Sequence, residues 1–127
     1  MKKTNRTAAQ SAFTLVEIMI VVAIIGLLAA IAIPNFVRAR ATAQQNACIN
    51  NLRQIDAAID EWALETGQSN GNPIGAVSTI SAYLKLNTNG SVPGCPANGT
   101  YSVGNLGDTP QVKCSLSTLA TSPHRLP

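Results

Sequence analysis

The chain has 127 residues, 46% of them hydrophobic and only 4% aromatic, with a formal net charge of +3. That length leaves room for one small domain beside the apolar N-terminal stretch, and the charge comes wholly from Lys2, Lys3 and Arg6, because the remaining Lys and Arg equal the six Asp and Glu in number. Nucleic-acid binding needs a clustered cationic footprint; Arg38, Arg40, Arg53, Lys85, Lys113 and Arg125 are scattered, so no nucleic-acid partner is expected.

Residues 18–33 are all apolar or Gly, and extending back to Phe13 adds only Thr14 and Glu17 as polar interruptions. As a helix, residues 13–33 would measure about 31 Å, close to the hydrocarbon thickness of a bilayer. The cationic start is expected to stay on the cytoplasmic side, which puts the rest of the chain across the membrane, although Arg38 and Arg40 weaken the contrast. Glu17 stands out, because a carboxylate in an apolar span is costly unless it is partnered or reaches the headgroup region. Charge position alone leaves both options open.

The residues around Glu17 carry more. Ser11-Ala12-Phe13-Thr14-Leu15-Val16-Glu17, followed by the apolar run with Gly26 midway and Pro34 at its end, resembles the prepilin signature shared by type IV pilins and type II secretion pseudopilins. The resemblance covers about the first 40 residues. It implies that a membrane prepilin peptidase cuts between Ala12 and Phe13, and that the new Phe13 amine is N-methylated. It also implies that Glu17 promotes methylation and pairs with the N-terminal amine of a neighbouring subunit. Such a pair is sensible in an apolar bundle, where an ammonium and a carboxylate each lack water and their mutual contact offsets the desolvation. The family usually has Gly before the scissile bond; Ala12 is also small, so cutting is expected at a slower rate. The competing reading is an ordinary signal peptide with Ala30-Ile31-Ala32 as cleavage site, releasing a soluble binding domain that begins at Ile33.

Pro34 is expected to kink or interrupt the helix, and Gly26 to soften it. By the resemblance, residues 26–34 are the candidate stretch for losing helicity on assembly. Beyond Pro34 an amphipathic helix runs to about Thr66 and stops at Gly67. Cys48, Leu52, Ile55, Ile59 and Trp62 follow 4-3-4-3 spacing and form one apolar stripe, which reads Trp62 as core and Cys48 as a buried, inert thiol. Ala39, Ala41, Ala43 and Ala47 keep the preceding turns slim.

After a turn-rich link at Asn70-Gly71-Asn72-Pro73, residues 78–84 read as a short helix capped by Ser78 or Thr79. Residues 100–103 and 111–114 alternate polar and apolar around a turn-forming segment and read as a β-hairpin. Cys95 and Cys114 flank it. A disulfide between them would close a loop of about 20 residues and stabilise by roughly 3 kcal/mol, with two reduced thiols as the alternative. Cys-Pro-x-x-Gly-x-Tyr, a second Cys and a late His also resemble a subgroup of pseudopilin-like proteins. The three cysteines show no CxxC and no His at metal spacing, so no metal and no cofactor are expected, and Asp108 alone is a weak calcium ligand. Catalytic motifs are absent and His124 stands alone near the end, so the chain does not read as an enzyme.

The expected fold is α+β and pilin-like: a long kinked N-terminal helix with a small antiparallel sheet packed on its C-terminal half. The expected organisation is a leader over 1–12, a transmembrane and filament-core helix over 13–34, and over 35–127 a periplasmic amphipathic helix with a small β-containing globular domain. By resemblance the partners are other copies of the chain in a helical filament, prepilin peptidase, an inner-membrane assembly platform and the bacterial inner membrane. The final location is a type IV pilus or a type II secretion pseudopilus, with the short C-terminal domain leaning to the pseudopilus.

Overall fold

The computed structural model describes residues 12–120 and 123–127; Lys2, Lys3 and Arg6 of the expected leader lie outside them. In chain order the elements are helix α1 (Leu15–Thr66), a 3-10 helix (Val77–Tyr83), and strands β1 (Tyr101–Val103) and β2 (Val112–Cys114). The chain divides into two compact units, one ending at Val37 and the other comprising Arg38–Pro127.

In the first unit the helix has no cover. Among the described residues, α1 is the one helix long and apolar enough to cross a membrane, and none of its apolar window is buried. Phe13 is 83% exposed and Leu27 67%. A lone helix satisfies its own backbone polar groups, which makes it a form a single segment can keep in lipid. The helix runs through Pro34 without interruption. The missing proline N–H leaves the carbonyl one turn earlier without its usual donor, a local cost the helix tolerates.

In the second unit the same helix turns amphipathic. Cys48, Leu52, Ile55 and Ile59 are buried, joined by Ala58 and Ala63, while Trp62 packs at the margin of the cluster rather than within it. Full burial of a Leu or Ile contributes about 1.5–3 kcal/mol, so this stripe is the main anchor of the domain. The helix ends where Gly67 takes a left-handed conformation (φ 65°) and the Gln68 N–H bonds the Ala63 carbonyl at 2.9 Å, a C-terminal cap that a Cβ-bearing residue would strain.

Ile74, Ile80, Leu84, Leu106 and Val112 complete one hydrophobic cluster with the helix stripe. β1 and β2 pair antiparallel, with Tyr101 opposite Cys114, Ser102 opposite Lys113 and Val103 opposite Val112. The link after the helix is tied to the hairpin loop by Gly71 N–H to the Leu106 carbonyl and Leu106 N–H to the Asn72 carbonyl, at 2.8 and 2.9 Å. The architecture is the expected α+β one. One detail differs: the short helix is 3-10, starts at Val77, and has Ala76 at its N-cap with no side-chain cap. Val77, Thr79 and Ile80 are β-branched, and neither Ser78 nor Thr79 stands at the position where a hydroxyl would cap an α-helix.

Candidate functional site

Ala12 and Phe13 precede the first turn of α1 and are exposed, so the peptide bond between them is accessible. Thr14 caps the helix. Its backbone N–H and its hydroxyl donate to Glu17 Oε2 at 2.8 and 3.0 Å, and the Glu17 N–H donates to Thr14 Oγ1 at 3.2 Å. This reciprocal arrangement is a capping box: two donors orphaned at the helix start are satisfied by the two side chains. Gly26 faces open space, with no heavy atom within 4 Å of where a Cβ would stand, so nothing in its own chain demands a glycine there.

A second constellation lies in the globular unit. Cys48 on α1, Cys95 in the turn before β1, Cys114 at the end of β2 and His124 on the C-terminal segment are all buried, and their sulfur and nitrogen atoms all lie within 4.8 Å of one another. Cys95 Sγ is 3.3 Å from His124 Nδ1, and the Tyr101 hydroxyl donates to Cys48 Sγ at 3.5 Å. Polar side chains of α1 hold the converging segments: Gln44 donates to the Pro96 carbonyl at 3.3 Å, Gln45 to the Pro123 carbonyl at 3.0 Å, and Asn51 to the Gly94 carbonyl at 3.2 Å. Burial pushes the Cys48 thiol up to about 12. Burial acts on Cys95 in the same sense, yet it ends below the ordinary thiol value because the N–H groups of Ala97 and Gly99 and the thiols of Cys48 and Cys114 bond its sulfur.

The structure thus brings Cys95 and Cys114 together, and adds Cys48 and His124 to them. All three cysteines are free thiols. No local spacing announces this cluster, because its members come from four separate segments. The signal available was compositional: three Cys and one His in a small domain. Asp108, weighed as a calcium ligand, instead accepts the Asn105 N–H at 2.9 Å and closes the hairpin loop.

Residues 7–33 match the family model described as the prokaryotic N-terminal methylation motif. The chain carries that methylation motif at its N-terminus. Phe13, Glu17 and Gly26 fall inside the matched segment and Pro34 directly follows it. Similar curated proteins include the type IV major pilin protein PilA of Myxococcus xanthus, 56% identical over 46 residues, which is 36% of this chain and 21% of the relative. The fimbrial protein of Neisseria meningitidis serogroup B is 38% identical over 76 residues, 60% of this chain and 45% of the relative. The type II secretion system core protein G of Aeromonas hydrophila is 32% identical over 59 residues, 46% of this chain and 41% of the relative. The chain therefore spans less than half the length of these relatives. No solved structure matches it.

Proposed function

We propose that the chain is a structural, non-catalytic subunit that a prepilin peptidase cuts between Ala12 and Phe13 and N-methylates at Phe13. The processed helix is held in the bacterial inner membrane with the C-terminal domain in the periplasm. An assembly platform then moves it into a filament of identical copies, a type IV pilus or a type II secretion pseudopilus. The observation that carries this reading is the methylation motif over residues 7–33, set at the start of a helix whose large apolar side chains are exposed as far as Val37. An apolar surface of that extent requires a non-aqueous partner, and lipid and the helices of other copies are equally able to supply one.

Glu17 is the assembly contact in this scheme. In the filament its carboxylate meets the Phe13 ammonium of an adjacent copy, and the pair fixes the stagger between subunits. Gly26 supports close approach, since its open face leaves room for another helix. The relatives named as pilins or fimbrial proteins are the more numerous and favour the pilus, while the type II secretion relative keeps the pseudopilus as the second reading. The test is Glu17→Ala in the native host: the protein should stay in the membrane fraction while filament yield falls at least about tenfold, a loss of about 1.4 kcal/mol or more in assembly. Normal filament yield would sink the pairing. Surface filaments released by shear mark the pilus; a secretion defect on deletion without such filaments marks the pseudopilus.

A further inference from the structure

Among the described residues, His124 is the only buried polar or charged side chain, 2% exposed, and it faces three buried thiols. A Cys95–Cys114 disulfide would use two of these groups and leave Cys48 and His124 converging on the same point without a role. We propose that Cys48, Cys95, Cys114 and His124 together bind one zinc ion in a closed, structural Cys3His site that fastens α1, the turn before β1, β2 and the C-terminal segment to one another. This inference concerns the globular unit alone and does not depend on the processing or assembly of the N-terminal helix.

The geometry fits. Tetrahedral zinc with sulfur at about 2.3 Å and nitrogen at about 2.0–2.1 Å separates its ligand atoms by about 3.5–3.8 Å. The 3.3 Å between Cys95 Sγ and His124 Nδ1, and the 4.8 Å bound on the whole set, need only small side-chain rotations to reach it. Thiolate and imidazole donors favour zinc over magnesium or calcium, and four protein ligands leave no open position for catalysis. Binding releases the three thiol protons to solvent, and three thiolates around Zn2+ leave the site with one net negative charge. Donors for that charge are in place. The N–H groups of Ala97 and Gly99 bond the Cys95 sulfur, and the Tyr101 hydroxyl bonds the Cys48 sulfur. Gly99 is also sterically required: a Cβ there would lie 2.7 Å from Cys114 Sγ and 3.2 Å from Cys95 Sγ.

The test is metal analysis and intact mass of the full chain extracted from membranes in detergent without chelator, with Zn2+ as the only added metal. The expected result is about one zinc per chain, removed by a chelator and restored by Zn2+, with the thermal unfolding midpoint falling and recovering in step. Replacement by Co2+ should give thiolate-to-metal charge-transfer absorption and the intense visible bands of a tetrahedral ion. Cys95→Ser and His124→Ala should lose stoichiometric binding, and Tyr101→Phe should weaken zinc affinity about 10- to 100-fold. The proposal is overturned if wild-type chain neither carries nor takes up zinc, if it carries iron or copper instead, or if its mass is two hydrogens short with Cys95 joined to Cys114. Zinc binding that persists unchanged in both ligand variants also overturns it. The wild-type chelation cycle decides the matter even where a variant does not fold.

Discussion

Glu17 has two possible partners at the residue scale, and they compete. In the single chain its carboxylate holds the Thr14 N–H and hydroxyl, an arrangement worth about 1 kcal/mol at a helix start. In the proposed filament the same carboxylate meets an ammonium, and the gain in an apolar bundle exceeds the loss of a cap because an unpaired charge there is far costlier. Glu17→Gln separates the roles: the amide oxygen still caps Thr14, but the charge is gone. Helix content by circular dichroism in detergent should match wild type, while filament yield should fall as far as with Glu17→Ala. Wild-type yield from Glu17→Gln would assign the residue to capping alone. A second acid is placed at a cost. Burial, and then the nearby charge of Asp60, raise the Asp56 carboxyl above its usual 3.8. The folded chain therefore prefers the neutral form, so the stability linked to this group is full below pH 3.8 and lost as pH rises through the folded value. Asp56→Asn should raise the thermal midpoint at pH 7 by the equivalent of a few tenths of a kcal/mol, with the gain vanishing near pH 3. A lower midpoint at pH 7 would contradict this.

At the scale of elements, the two stretches of α1 obey different rules. Leu52 and Ile59 are fully buried, so Leu52→Ala or Ile59→Ala should cost about 2–4 kcal/mol in urea unfolding of the detergent-solubilised chain. Leu27 is exposed, and Leu27→Ala should leave that transition unmoved. Equal effects at the two positions would refute the division of labour along the helix. Much of this was readable beforehand, because helix periodicity, the Gly67 stop and strand alternation are local patterns. Trp62 reads as core and instead packs, partly buried, at the margin of the cluster. Residues 78–84 read as a short capped helix and the structure has an uncapped 3-10 helix over Val77–Tyr83, because propensity over seven residues does not decide between helical forms. The Cys/His cluster was invisible to spacing. Its four members meet only when the hairpin and the C-terminal segment fold onto α1, with Gln44, Gln45 and Asn51 as the fastening points.

At the scale of the whole molecule, the N-terminal segment is the most legible part, because its motif is written in consecutive residues and needs no tertiary fold to be recognised. The basic residues Lys2, Lys3 and Arg6, the small Ala12 at the proposed cut, Glu17 at the helix start and an apolar run of bilayer length follow one another closely in the sequence. The unit from Arg38 on has its own buried core, while the segment before it exposes its apolar side chains, the surface that in the proposed scheme meets lipid or other copies. The two should be separable in effect: changes in the Cys/His cluster should alter the stability of that core, and changes at Glu17 should alter assembly. The central claim is tested most directly by the mass of the N-terminal peptide of chain extracted from membranes. The prediction is a peptide that begins at Phe13 and carries one methyl group on its amine. A chain beginning at Ile33, or one that keeps residues 1–12, contradicts it.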